Sequence, residues 1–117
     1  MKFEIPLYNG TVVFFNDPEK FQKALVMCGG PGDVIEVGTL GMCAPMVNEK
    51  TGERAYLLGV FDGQPRTLVH ECGHLALQVA GAMNFDAGCG SGEPFCYLLD
   101  AVFGKTEPYL KKNKKRG

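Results

Sequence analysis

The segment PRTLVHECGHLALQVAG, from Pro65 to Gly81, carries the strongest structural pattern in the chain. Its apolar residues recur every three or four positions, which is typical of one face of an α-helix. These residues are Leu68, Cys72, Leu75, Ala76 and Val79. Proline favours the first position of a helix, where its missing N–H removes no hydrogen bond. The segment predicts an amphipathic helix that buries this face against a sheet and leaves its polar residues on the opposite side.

Alternating apolar residues predict a β-hairpin at the N-terminus. Phe3, Ile5 and Leu7 alternate with polar or bulky neighbours, as in a strand with one buried face. Asn9–Gly10 is typical of a two-residue turn, after which Thr11–Phe15 is predicted to return as the second strand.

The remaining elements are one more helix before Pro65, one after it, and several short strands. Asp17 and Pro18 are a typical N-cap and first residue of a helix, which Gly29–Gly32 ends. Strands are predicted at Val34–Val37, Leu40–Val47 and Arg54–Phe61, and a third helix at Glu93–Phe103 after the glycine-rich loop Met83–Gly92. This order predicts an α+β fold, a small and mainly antiparallel sheet covered by helices.

Composition indicates an ordinary globular protein of one domain, residues 1–110, followed by a basic disordered tail, residues 111–117. Five of the 12 basic residues lie in that tail, so residues 1–110 carry seven basic against 13 acidic side chains, a charge of −6. Nucleic-acid binding by the body of the chain is therefore not expected. No apolar run is long enough to span a membrane, and no signal peptide is recognised. Five cysteines without CxxC spacing indicate reduced thiols, so a cytoplasmic protein is expected.

The two histidines of the chain both lie in the predicted second helix, in the pattern His-Glu-x-x-His. Residues four apart share one side of a helix, so His70 and His74 are spaced to bind one zinc ion. Glu71 is badly placed to ligate from the same turn, but it is well placed to accept a proton from water bound to the zinc. The pattern predicts a zinc site with Glu71 as general base.

A catalytic zinc site needs a third protein ligand, and both histidines are already used. Glu93 is favoured, because the glycine-rich loop allows the third helix to fold back across the second. The alternatives are the nearby carboxylates and thiols, namely Asp86, Asp100, Cys89 and Cys96.

The segments Thr67–His74 and Glu93–Leu99 together resemble small zincin-like proteins encoded by bacteriophages and prophages, whose helices carry TLVHExxH and E-x-(F/A)-x-Y-L. More distantly, they are similar to ImmA/IrrE-type gluzincin-like metallopeptidases. The resemblance covers about Val60 to Leu99, a third of the chain. It implies a minimal zincin-like core with His70, His74 and Glu93 as zinc ligands and Glu71 as base, in the cytoplasm of a bacterial host.

Three neighbouring residues are weaker candidates for the site. Tyr97 lies one turn after Glu93, where a phenol could stabilise an oxyanion, although a half-buried structural role is equally expected. Asp62 and Arg66 precede the His-Glu-x-x-His pattern, where turn and helix-start roles are expected.

Three functions compete on this pattern. The leading one is a zinc metallopeptidase that hydrolyses a peptide or protein substrate, bound by pairing with an edge strand, Arg54–Phe61 or Leu40–Val47. The second is a non-proteolytic zincin-fold protein, a phage assembly or host-takeover factor with a structural or vestigial metal. The third is a small binding module that uses the basic tail.

Overall fold

Four strands and three α-helices form the described part of the chain, which in this computed structural model comprises residues 1–5, 8–32, 35–84 and 92–111. In chain order the elements are β1 (Lys2–Glu4), β2 (Thr11–Phe15), α1 (Pro18–Met27), β3 (Gly41–Val47), β4 (Arg54–Val60), α2 (Pro65–Met83) and α3 (Glu93–Thr106). A single 3-10 turn, Glu107–Tyr109, follows α3. The chain has the predicted α+β composition.

The sheet is mixed, with the strand order β1-β2-β4-β3. The outer pairs, β1 with β2 and β3 with β4, are antiparallel, as predicted. The central pair, β2 with β4, is parallel, which the prediction of a mainly antiparallel sheet did not include. The chain between these two strands contains α1 and β3, and a connection of that length allows parallel neighbours.

Helices cover both faces of the sheet. On one face, side chains of β2 and β4 pack with α2 and α3 in the larger core, which includes Val12, Leu58, Leu68, Val79 and Val102. On the opposite face, Phe21 and Leu25 of α1 pack with Leu57 in a smaller core. The period of two in β2 and β4 therefore sends alternate residues to the two cores.

The strand predictions need three corrections. Residues 35–37 are not in a strand, and Val34 lies outside the described residues. The hairpin connection is longer than Asn9–Gly10, because the Ile5 N–H donates to the Gly10 carbonyl and four residues lie between them. Arg54–Val60 is an interior strand, so of the two strands considered for substrate pairing only β3 lies at an edge of the described sheet.

The helix boundaries agree well with the sequence signals. The Asp17 side chain accepts a hydrogen bond from the Glu19 N–H and caps α1. The second helix begins at Pro65 as predicted, and α2 and α3 extend two and three residues beyond their predicted ends. Among the described residues, no helix is both long and apolar enough to cross a membrane. The disordered tail was predicted for residues 111–117. Of these only Lys111 is among the described residues, and residues 112–117 lie outside them.

Candidate functional site

Asp62 fixes the start of α2. Its Oδ1 accepts a hydrogen bond from the Gln64 N–H at 3.2 Å, and its Oδ2 accepts one from the Thr67 hydroxyl at 2.7 Å. Gln64 itself makes no side-chain capping bond. Asp62 therefore has the helix-start role that was expected for it, because it links the residue before α2 to the third residue of the helix.

The buried face of α2 sets the rotation of the helix. All five residues of the predicted stripe are fully buried: Leu68, Cys72, Leu75, Ala76 and Val79. This packing confirms the predicted face and leaves both His70 and His74 exposed on the outer side of the helix.

The two imidazoles of His70 and His74 converge on one point. Their Nε2 atoms lie 3.2 Å apart, and the rings are nearly perpendicular, with an interplanar angle of 81°. Two nitrogens bound to one tetrahedral zinc ion at 2.0–2.1 Å would be about 3.3 Å apart. The pair therefore fits two ligand positions of a single zinc ion, while in a metal-free chain the same distance suits a hydrogen bond between the rings.

The sequence pattern predicts Glu71 on the outer side of α2 with the histidines, but the structure buries it. Only 7% of the residue is exposed, and its Cγ lies close to Gly41 at the start of β3. Burial raises the pKa of the Glu71 carboxyl, and the neighbouring His70 and His74 oppose that rise. Glu71 is thus a partly desolvated carboxyl group beside the histidine pair.

An open groove connects these residues to the edge of the sheet. It has a volume of about 610 Å³ and is lined by Leu40, Gly41, Asp62, Gln64, Arg66, Thr67, His70 and Glu71. The Phe61 N–H donates to the Leu40 carbonyl, and the Asn48 N–H donates to the Glu53 carbonyl. With that register, the backbone groups of alternate β3 residues, starting at Gly41, point away from β4 toward the free edge.

Two cysteines, Cys43 and Cys72, lie under the site on the side of the larger core. Cys43 of β3 contacts Gln78, with Sγ and Oε1 3.3 Å apart, and Cys72 forms a side-chain hydrogen bond with Thr106. Burial raises the pKa of Cys43 and raises that of Cys72 to about 12. Both are therefore protonated thiols packed in or against the core.

The packing of α3 places Glu93 far from the histidines. Thr106, at the end of α3, contacts Cys72, and Lys111 then reaches Gly63, which precedes α2. The two helices are therefore antiparallel, and Glu93 begins α3 13 residues before Thr106. At a rise of 1.5 Å per residue, Glu93 lies about 20 Å along α3 from the level of Cys72. The structure does not bring the predicted third ligand to the histidine pair.

The other candidates of α3 lie with Glu93. Tyr97 is 55% exposed and lines a separate surface groove with Tyr8, Glu93, Pro94, Cys96 and Asp100. Asp86 and Cys89, the remaining alternatives for a third ligand, lie outside the described residues. Within the described residues, no group of three His, Cys, Asp or Glu side chains is arranged to hold a metal ion.

Comparisons with protein-family models, with curated proteins and with solved structures gave no match to this chain. The zincin-like pattern of Thr67–His74 and Glu93–Leu99 therefore remains a resemblance carried by those residues.

Gly41 is a part of the site that sequence reasoning missed. A Cβ atom at this position would lie 2.8 Å from Thr67 Cγ2 and 3.0 Å from Glu71 Cγ. Glycine thus allows α2 to pack directly on β3 and holds Glu71 against the strand. A glycine at the start of a predicted strand is the one signal that could have indicated this close approach.

Proposed function

We propose that this chain is a zinc-dependent hydrolase of peptide bonds, in which His70 and His74 supply two of the metal ligands and Glu71 is the general base. The described residues provide no third ligand. The observation that carries the proposal is the convergence of the two Nε2 atoms, 3.2 Å apart, beside a buried carboxylate. Zinc, when bound, supplies a Lewis acid that activates water and polarises the scissile carbonyl.

The remaining steps of the proposed reaction use side chains of the protein, above all Glu71. Glu71 accepts the proton of the attacking water and later returns it to the leaving amine. Its partly desolvated position favours the protonated form more than water would, which makes the carboxylate a better base near neutral pH. The Glu71 Cγ lies against Gly41, so this side chain is held between α2 and β3.

The groove beside Glu71 is the proposed binding place for the peptide. Its wall includes Leu40 and Gly41, where the free edge of β3 offers backbone groups for pairing with an extended chain. Arg66 lines the same groove and gives it a positively charged side chain. Tyr97 stays outside this proposed mechanism, because it lines the separate groove with Glu93.

The test compares the full chain with its Glu71→Gln variant on fluorescein-labelled casein, each loaded with zinc and checked for equal metal content. We expect hydrolysis by the parent chain and a loss of about 10²- to 10⁴-fold in the variant, since an amide cannot accept the proton. Glu19→Gln is the matched control, because Glu19 is exposed on α1 at the opposite face of the sheet.

Equal rates for the parent and the Glu71→Gln variant would refute the role of Glu71. Zinc binding without hydrolysis by the parent chain would instead favour the alternative, a non-proteolytic zincin-fold protein with a structural metal.

A further inference from the structure

The histidine pair is a two-donor site in a chain that offers zinc no third donor among its described residues. His70 and His74 are the only histidines in the sequence. Zinc in proteins is most often four-coordinate and tetrahedral. The pair therefore leaves half of the coordination sphere to be filled from outside the described chain.

The surface around the pair is exposed and nearly uncharged. Two apolar side chains of the same helix are also exposed, Val69 by 45% and Leu77 by 53%. The helix contains two charged residues, Arg66 and Glu71, and the carboxylate is buried. Two copies of this surface could meet without repulsion between like carboxylates.

Gly73 directly precedes His74 in α2 and lies beside the histidine pair on the helix. A Cβ atom at this position would meet nothing within 4 Å, so packing inside the described part of the chain does not require glycine here. Glycine in a helix interior costs about 1 kcal/mol relative to alanine. Its presence at this point leaves room for the backbone of another molecule next to the metal ligands.

We infer that a second copy of this chain approaches α2 at Gly73 and supplies its own His70 and His74 to the same zinc ion. A two-fold axis through the ion doubles two donors to four, which matches tetrahedral coordination. In a tetrahedral site the planes of the two nitrogen pairs are perpendicular, so the two α2 helices cross steeply. Contact is then confined to residues near Gly73, with Val69 and Leu77 at its margin.

This inference rests on the metal binding of the proposed function, and not on hydrolysis. Four imidazoles leave no position for water, so the shared ion is a closed resting form. Chains that hold one zinc each retain open positions. Self-association through the metal therefore regulates the same site. The ratio of zinc to protein sets how much of the chain is in the closed dimer and how much is in open monomers with one zinc each.

The test is native mass spectrometry of the full chain during a zinc titration, with light scattering after size exclusion as a second measure of mass. We expect a dimer that peaks at one zinc per two chains and returns to monomer with excess zinc or with a chelator. Gly73→Leu should keep zinc but lose the dimer, since the side chain blocks the approach. Gly81→Leu is the matched control, because a Cβ at Gly81 also meets nothing within 4 Å and lies two helical turns away.

The outcomes separate the two proposals. A monomer with one zinc at every ratio overturns the dimer and leaves the proposed metal site intact. A dimer that forms without zinc, or that persists in His74→Ala or Gly73→Leu, also overturns the shared site. A chain that binds no zinc overturns both.

Discussion

At the scale of single residues, burial separates the four cysteines of the described residues into two groups with different chemistry. Cys28 and Cys96 are exposed, whereas Cys72 is buried and Cys43 is partly buried beside it. Removal from water disfavours the thiolate, and the nearby Glu71 carboxylate adds to this effect for both residues of the second group.

This separation predicts the pattern of alkylation. With a pKa of about 12, Cys72 is ionised in roughly one molecule in ten thousand at pH 8, and Cys43 in still fewer. Iodoacetamide should modify Cys28 and Cys96 in the native protein and spare Cys43 and Cys72, as read by mass spectrometry of peptides. The same treatment in urea is the control, in which Cys43 and Cys72 should react as well. Native Cys72 reacting as fast as Cys28 would show that it is not held in the core.

At the scale of elements, the site depends on how closely α2 approaches β3. Gly41 of β3 lies against Thr67 and Glu71 of α2, and Gly59 of the neighbouring strand adds its carbonyl to the same contact. The outer side of α2 is open, as Gly73 shows. Gly41 of β3 is therefore in tight contact with the inner side of α2, whereas Gly73 of α2 itself borders open space.

Substitution by alanine should affect the two positions in opposite directions. At Gly41 a methyl group would lie 2.8 Å from Thr67 Cγ2 of α2 and 2.9 Å from the Gly59 carbonyl oxygen of β4. Because both neighbours must move to make room, we expect a loss of about 1–3 kcal/mol in the free energy of unfolding. At Gly73 we expect a gain of about 1 kcal/mol, because alanine favours the helix. Urea denaturation of the metal-free variants measures both. Equal effects of the two substitutions would argue against the packing of α2 on β3.

The elements themselves were largely predictable, because their signals are local. Asp17, Pro18 and Pro65 mark helix starts by their own chemistry, and the stripe from Leu68 to Val79 fixes the buried face of α2. Strand pairing is not local. Alternation predicts that Thr11–Phe15 is a strand, but nothing in those residues indicates that β4 will be its parallel neighbour.

At the scale of the whole molecule, the relative placement of α2 and α3 decides which residues share a site. Spacing alone predicted that His70 and His74 lie together with Glu71 beside them, because residues four apart on one helix have a fixed geometry. Glu93 was assigned by its position in the sequence. Its location depends on the antiparallel packing of two long helices, which puts the start of α3 beside the end of α2.

The central claim is that His70 and His74 bind zinc, and equilibrium dialysis against zinc with elemental analysis tests it most directly. The parent chain should retain zinc, and His70→Ala and His74→Ala should each weaken binding by orders of magnitude, because each removes half of the donors identified in the chain. Glu93→Ala should bind as the parent does, since α3 holds that residue about 20 Å from the level of the site. Zinc retained equally by the two histidine variants would contradict the account.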